Sequence, residues 1–136
     1  MKTVLFVCVG NSARSIMAEA LFNAVAPEGW EARSGGTKPA SIISGKSVEV
    51  LGELGVKVEK ERPSLFDKEL AKSAEIGITM GREVEDECPV LFTPVKEDWD
   101  IDDPRGQPIA KYREVRDEIK RRVEGLVEEI QEGKKR

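Results

Sequence analysis

The feature that most constrains the fold is a short run of β-forming residues near the amino terminus that is apolar on both faces. Residues 3–7 read TVLFV and lack the alternation of apolar and polar residues that marks a half-exposed strand. Such a strand is typical of the centre of a parallel sheet that helices cover on both sides. Residues 15–25 then carry apolar residues three and four apart, and Pro27 follows them. The sequence therefore predicts a buried strand followed closely by a helix.

Strands and helices continue to alternate along the chain. We predict further strands over residues 31–34, 76–80 and 90–93, and further helices over residues 47–54, 67–72 and 109–132. The predicted core-facing residues of the longer helices are Ile16, Met17, Ala20, Leu21 and Val25, then Val48, Leu51 and Leu54, then Tyr112, Val115, Ile119, Val123, Leu126 and Ile130. This alternation predicts an α/β domain over residues 1–136, with a parallel sheet and a functional site at the carboxyl ends of its strands.

Composition excludes several classes of function. The chain has no histidine, which excludes Ser-His-Asp triads, Cys-His dyads and histidine-based zinc sites, and we predict no metal and no cofactor. The net charge of −4 argues against a nucleic-acid partner, because phosphate neutralisation requires a basic surface. The apolar run at residues 4–9 is too short for a signal core or a membrane span, and two cysteines do not form a disulfide framework. These observations indicate a cytoplasmic protein without a membrane partner.

The segment from residue 8 to residue 14 has the composition of an anion-binding loop. It reads CVGNSAR and joins the end of the first predicted strand to the start of the first predicted helix. Unpaired backbone N–H groups and the helix dipole at such a junction together bind a tetrahedral oxyanion. Gly10 and Asn11 tolerate the left-handed backbone that a tight loop requires. The predicted oxyanion-binding residues are Val9, Gly10, Asn11, Ser12, Ala13 and Arg14.

Cys8, Arg14 and Ser15 add side-chain chemistry to this loop. The field of the N–H groups stabilises a thiolate, so Cys8 is a candidate nucleophile that needs no histidine. Arg14 offers a planar guanidinium for two oxygens of the anion, and the Ser15 hydroxyl can donate to the thiolate. The alternative is that Cys8 is a small buried apolar residue and Arg14 a surface cation.

Two residues outside the loop are candidates for later steps of a reaction. Phosphoryl and arsenyl transfer need an acid that protonates the departing oxygen, and Asp103, fixed by the following proline, is the candidate. An ordinary Asp-Pro turn is the alternative. Cys88 follows a cluster of acidic residues that disfavours a resting thiolate, so its thiol would attack only an activated sulfur partner. A half-buried loop cysteine is equally consistent with these residues.

Four stretches give the chain a resemblance to the low-molecular-weight protein-tyrosine phosphatase superfamily. They are VCVGNSARSIMAEA (residues 7–20), RSGGTKP (33–39), AEIGITMG (74–81) and EDWDIDDPRG (97–106). Within this superfamily the chain resembles the thioredoxin-coupled arsenate reductases. The resemblance implies a three-layer α/β/α fold with a four-stranded parallel sheet in the order 2-1-3-4.

The resemblance also implies roles for individual residues. Cys8 is then the nucleophile, the loop amides and the Arg14 side chain hold the oxyanion, and Asp103 is the general acid. The residues implied as supports of the loop and the thiolate are Asn11, Ser15 and Ser34. Leu65 stands where some relatives carry an acidic residue that helps to hold a monovalent cation, so we do not predict that ion.

Two features indicate the branch of the superfamily. They are the residue after the Asp-Pro pair and the positions of the cysteines. Phosphatases of the family often carry aromatic residues there, whereas Arg105 in this chain resembles the reductases. In the reductases, a second cysteine attacks the arsenic adduct of the first, and a third carries the disulfide to the surface for thioredoxin. Cys88 matches the last of these, but Gly81 or Arg82 stands where the middle one belongs.

Three hypotheses remain at this point. The leading one is an arsenate reductase in which Cys88, or an external thioredoxin-like or small-thiol reductant, resolves the adduct on Cys8. The second is a phosphatase that hydrolyses phosphate monoesters through a Cys8 phosphoenzyme. The third, a non-catalytic oxyanion-binding module, would leave the combination of Cys8, Arg14 and Asp103 without a purpose.

Overall fold

Strands and helices alternate in the computed structural model, which describes residues 1–81 and 95–133. The elements in chain order are β1 (Lys2–Cys8), α1 (Arg14–Val25), β2 (Trp30–Gly36), α2 (Gly45–Gly52), α3 (Lys68–Ser73), β3 (Ile76–Thr79), β4 (Val95–Asp98) and α4 (Ile109–Gln131). The predicted strand at residues 90–93 lies outside the described residues. No helix in the described ranges is both long and apolar enough to cross a membrane.

The four strands form one parallel sheet in the order β2-β1-β3-β4. This confirms the predicted α/β class and strand order. β1 lies inside the sheet and is buried along its length after Lys2. Its register places Cys8 beside Gly36 of β2 and Val7 beside Thr79 of β3. The carboxyl ends of the three strands therefore meet at one edge, where a parallel sheet places its site.

The core lies where β1 meets the helices. Phe6 of β1 is fully buried and contacts the rings of Phe22 and Trp99, with centroid separations of 6.3 and 5.5 Å. α4 packs against α1 and α2, and all six of its predicted core positions are buried. The 3.6-residue period of this long helix was therefore a sufficient guide to its packing.

Three residues predicted to face the core are instead exposed. In α2 the buried residues are Ser47, Val50 and Leu51, whereas Val48 and Leu54 are 45 and 40 % exposed. α2 ends at Gly52, so Leu54 lies in the following turn, where the helical period no longer applies. Val25 is 52 % exposed because it is the last residue of α1.

Candidate active site

The loop of residues 8–14 is held by its carbonyl groups. Four of these carbonyls accept hydrogen bonds from the backbone of the segment that follows β2. The pairs are Thr37 N to Cys8 O (3.1 Å), Lys38 N to Val9 O (2.9 Å), Ala40 N to Gly10 O (2.9 Å) and Ser44 N to Ser12 O (3.0 Å). The carbonyls of the loop therefore point outward, toward residues 37–44.

The N–H groups of the loop consequently point the other way. In a trans peptide the C=O and N–H bonds are antiparallel, and all peptide bonds in the described ranges are trans. Outward carbonyls of residues 8, 9, 10 and 12 direct the next N–H groups, those of residues 9, 10, 11 and 13, to the inner side. The Asn11 N–H donates to the Cys8 Sγ at 3.2 Å, which places the sulfur on that inner side. A concave array of donors around a thiol is suited to a tetrahedral anion.

Asn11 fixes the backbone of the loop. Within residues 1–81 and 95–133 it is the one non-glycine residue with a positive φ, at 48°, a conformation that asparagine tolerates better than most residues. Its Oδ1 accepts from the Ser64 N–H at 2.9 Å. Its Nδ2 therefore faces Ser15 and Ser34, and donates to their hydroxyl oxygens at 2.7 and 3.0 Å. Gly10 does not share the left-handed conformation.

The hydrogen bond from Asn11 determines which way the Ser15 hydroxyl points. Ser15 Oγ lies 2.8 Å from Cys8 Sγ. Because Ser15 Oγ already accepts from Asn11 Nδ2, its own hydrogen is available for the sulfur. Cys8 is buried, with 2 % exposure, and its sulfur receives donors from both the Asn11 backbone and the Ser15 side chain. Two donors therefore hold the Cys8 sulfur in place on the inner side of the loop.

Ser34 connects the loop to a half-buried ammonium group, that of Lys60. Its hydroxyl donates to Glu19 Oε1 at 2.7 Å and accepts from Asn11 Nδ2 and, at 3.2 Å, from Lys60 Nζ. Lys60 Nζ also donates to the Ser34 carbonyl at 2.8 Å. Burial lowers the pKa of Lys60, and the charge of Glu19 opposes this. The chain thus supplies its own cation next to the residues that orient Asn11.

Gly36, at the end of β2, allows close approach to the loop. An ideal Cβ at this position would lie 2.5 Å from the Val9 carbonyl oxygen and 2.9 Å from the Asn11 nitrogen. No side chain fits in this space, so the register that places Gly36 beside Cys8 depends on a glycine.

Arg14 links the loop to the other strands of the sheet. Its guanidinium is 2 % exposed and donates through Nη1 to the carbonyls of Met80 and Ile101, at 2.7 and 3.2 Å. Its Nη2 lies 3.7 Å from Asp103 Oδ2. Gly81 is one of the two positions that match the middle cysteine of the reductases. It follows Met80 directly, so it lies next to the carbonyl that Arg14 contacts.

Asp103 carries a carboxylate that Arg105 holds on both oxygens. Arg105 Nε donates to Oδ1 and Oδ2 at 3.1 and 3.0 Å, and Nη2 donates to Oδ2 at 2.8 Å. Partial burial acts to raise the pKa of Asp103, but hydrogen bonds from the Arg105 side chain and backbone and the charge of Arg14 together leave it below its usual value. Asp103 is therefore ionised in this arrangement, and its oxygens face cations.

The third guanidinium nitrogen of Arg105, Nη1, lies against the loop of residues 8–14. Arg105 Nη1 occupies the place where a Cβ of Gly10 would be, and Cζ lies 3.2 Å from that point. The pKa of Arg105 is raised chiefly by its hydrogen bonds to Asp103, with further contributions from the negative charges of Asp103 and Cys8. The guanidinium thus lies between Gly10 and Asp103, within the field of the sulfur.

The structure brings most of the predicted site residues together. Residues 8–15, Ser34 and Asp103 form one cluster at the carboxyl ends of β1 and β2, and their roles in a reaction remain predictions. Cys88 and Arg82 lie outside the described residues. Sequence reasoning missed Lys60, and it used Arg105 only to choose between branches. For Arg105, the available signal was its position two residues after Asp103, the candidate acid.

Comparison with known proteins gives consistent matches over the length of the chain. The family model described as low molecular weight phosphotyrosine protein phosphatase matches residues 3–136. Arsenate reductase 2 of Staphylococcus haemolyticus is 36% identical over 126 residues, which are 92% of this chain and 95% of the relative.

Two solved structures extend the likeness to the fold. The YwlE arginine phosphatase of Geobacillus stearothermophilus superposes with a TM-score of 0.85 at 30% identity, covering 98% of this chain and 95% of that chain. The thioredoxin-dependent arsenate reductase of Corynebacterium glutamicum superposes with a TM-score of 0.83 at 33% identity, covering 98% of this chain and 63% of that chain.

Fold and comparisons together define an enzyme class with a three-layer α/β/α architecture, whose members named above are phosphatases and arsenate reductases. The chain belongs to the low molecular weight phosphotyrosine protein phosphatase family.

Proposed function

We propose that the protein is an arsenate reductase in which Cys8 attacks arsenate held by the 8–14 loop. The observation that carries this proposal is the position of the Cys8 sulfur, on the inner side of a loop whose N–H groups point the same way. The curated relatives at 35% identity or more that are named arsenate reductases favour arsenate over a phosphate ester.

The reaction proceeds in two bond exchanges. The Cys8 thiolate forms a bond to arsenic while an arsenic–oxygen bond breaks, and Asp103 gives the departing oxygen a proton so that it leaves as water. A second thiol then attacks the Cys8 sulfur. The sulfur–arsenic bond breaks with its electron pair going to arsenic, which leaves as arsenite, and the two sulfurs form a disulfide.

The second thiol is Cys88 or a thiol from outside the chain, such as a thioredoxin-like protein or a small thiol. Support for a thioredoxin-like donor comes from the likeness to the thioredoxin-dependent enzyme of Corynebacterium glutamicum. Because both reacting sulfurs must be thiols before each turnover, we place the reaction in a reducing compartment, the cytoplasm.

A phosphatase is the second candidate function. The same loop, Cys8 and Asp103 would form a phosphoenzyme that water hydrolyses, and the likeness to an arginine phosphatase favours this candidate. The two candidates share the first chemical step and differ in the fate of the adduct.

A single-turnover experiment tests the proposal. The reduced protein, freed of reductant, receives arsenate, and free thiols, arsenite and disulfides are then counted. We expect about one arsenite per chain and a Cys8–Cys88 disulfide, and expect Cys88→Ser to release arsenite only when an external thiol is added. Cys8→Ser is the matched control and should bind the anion without turnover.

The opposing results are equally specific. Two results together would favour the phosphatase over the reductase. The wild type would release no arsenite, with or without added thioredoxin or small thiols, and it would hydrolyse a phosphate monoester at a rate that Cys88→Ser leaves unchanged.

A further inference from the structure

Arg105 lies between two parts of the candidate site that a reaction must bring into use. Three of its N–H···O contacts engage Asp103, and its Nη1 lies against the Cα of Gly10. Gly10 itself is buried, while the Arg105 side chain is 37% exposed. The guanidinium therefore covers the region between the loop and the candidate acid.

This arrangement is incompatible with general acid chemistry. A carboxylate that accepts from a guanidinium on both oxygens does not carry a proton to donate. The charged side chains that lower the pKa of Asp103 are Arg105 and Arg14, and Arg105 also contributes a backbone N–H at 3.1 Å. Arg14 is anchored by two main-chain carbonyls. Arg105 is the more exposed of the two, so it is the cation that can leave.

An incoming oxyanion offers Arg105 a second set of acceptors. The free tetrahedral dianion has oxygens on every side, and guanidinium binds such oxygens as readily as those of a carboxylate. Nη1 already lies on the backbone of the loop, so a small rotation of the side chain exchanges Asp103 for the anion.

We propose that Arg105 is a second oxyanion-binding side chain, which moves from Asp103 to the bound anion and selects a free inorganic oxyanion over a bulky ester. The proposal deepens the proposed function and rests on it. Departure of the Arg105 side chain removes three hydrogen bonds, which come from Nε and Nη2, so the Asp103 carboxyl takes up a proton when the substrate is in place. An ester would need the space between Gly10 and Asp103 for its leaving group, and the guanidinium lies there.

The first test measures binding of inorganic phosphate to the reduced protein by titration calorimetry. We expect Arg105→Gln to weaken binding by at least about tenfold, or ~1.4 kcal/mol. Lys111→Gln is the matched control, because Lys111 pairs with the neighbouring carboxylate Asp102 at 2.8 Å. It removes one positive charge nearby and should change the affinity by less than about twofold, as expected for a screened surface charge.

A second pair of variants separates placement from charge. Gly10→Ala puts a methyl group where Nη1 lies and retains the guanidinium. We expect it to weaken phosphate binding in the wild type and to have little further effect in Arg105→Gln, because both changes act through the same contact. The ratio of phenyl phosphate to phosphate affinity should rise in Arg105→Gln, since the space for an ester group is then open.

The third measurement follows the Asp103 carboxyl by ¹³C NMR with and without phosphate. A bound dianion raises the pKa of Asp103 in any variant, so the difference between proteins is decisive. We expect a larger rise in the wild type, which loses the Arg105 contacts, than in Arg105→Gln, which starts from a higher pKa.

Clear results would overturn the proposal. The first is an Arg105→Gln affinity for phosphate that is unchanged, tighter or reduced no more than in Lys111→Gln. The second is an unchanged ratio of phenyl phosphate to phosphate affinity, and the third is additive effects of Gly10→Ala and Arg105→Gln. The fourth is an equal rise of the Asp103 pKa in the wild type and in Arg105→Gln. Failure of the wild type to bind phosphate at all would instead remove the oxyanion loop on which the proposed function depends.

Discussion

Replacing Gly36 by alanine tests whether the loop depends on its close contact with β2. The new Cβ would lie 2.5 Å from the Val9 carbonyl oxygen, 2.9 Å from the Asn11 nitrogen and 3.0 Å from the Asn11 Cβ. Ordinary contact begins near 3.4 Å, so the first of these atoms must move by about 0.9 Å. Two of the three atoms belong to the backbone and cannot rotate away.

The expected loss follows from this overlap. Val9 O is bonded to Lys38 N, and the Asn11 N–H donates to the Cys8 sulfur, so relief of the overlap disturbs both the outer and the inner side of the loop. Overpacking of a well-packed site lowers the free energy of unfolding by about 1–3 kcal/mol. We expect a decrease in this range for Gly36→Ala, together with weaker binding of inorganic phosphate.

Gly125→Ala is the control for the general effect of adding a methyl group. Gly125 lies inside α4 and has no atom within 4 Å of its ideal Cβ, so alanine there should raise stability by about 1 kcal/mol through helix propensity. Urea denaturation and phosphate calorimetry measure both variants. If Gly36→Ala unfolds at the same urea concentration as the wild type and binds phosphate equally well, the close approach does not shape the loop.

Three further predictions concern the supports of the site and the surface. Asn11→Ala should lower the free energy of unfolding by about 2–4 kcal/mol, through a left-handed alanine and lost buried hydrogen bonds, and Asn11→Gly, which relieves only the backbone strain, should lose less in urea denaturation. Lys60→Met should weaken phosphate binding if the ammonium orients Ser34. Because burial lowers the pKa of Lys60, the wild type should gain stability as pH rises from the folded-state pKa to the usual value of 10.5. Urea titrations at alkaline pH should show this gain in the wild type and not in Lys60→Met. Hydrogen bonds from Arg113 lower the pKa of Glu53. The stability that this group contributes is therefore present above the usual pKa of 4.5 and is lost as pH falls through the folded-state pKa. In thermal unfolding, Glu53→Gln should reduce that acid dependence, whereas Glu118→Gln, which removes a pair within α4, should not.

The sequence was most informative where one local rule determined the outcome. TVLFV is apolar on both faces, and β1 is buried on both faces. All of the core positions that the apolar period predicts in α4 are buried, because a helix of 23 residues averages out local exceptions. In α2, with eight residues, the period was a weaker guide: Leu54 lies beyond the end of the helix, and Val48 lies within it on the exposed side.

The site was predictable in its residue types but not in its contacts. Cys8, Arg14 and Asp103 could be selected because each residue type suits one step of oxyanion chemistry. The contact of Arg105 with Gly10 spans 95 positions of the sequence, and no local pattern reports such a distance. The same holds for Lys60 and Ser34, which are neighbours because the segment that contains Lys60, Ser64 and Leu65 runs beside the end of β2.

The position of the loop between β1 and α1 has a consequence for how the protein opens. Amides in the central strand and the first helix exchange only when a large cooperative unit of the fold comes apart, and residues 8–14 are joined to both elements without a hinge. Loss of the structure of this loop should therefore coincide with global unfolding. An oxyanion bound there would slow hydrogen exchange throughout β1 and α1, and so protect the whole domain from proteolysis.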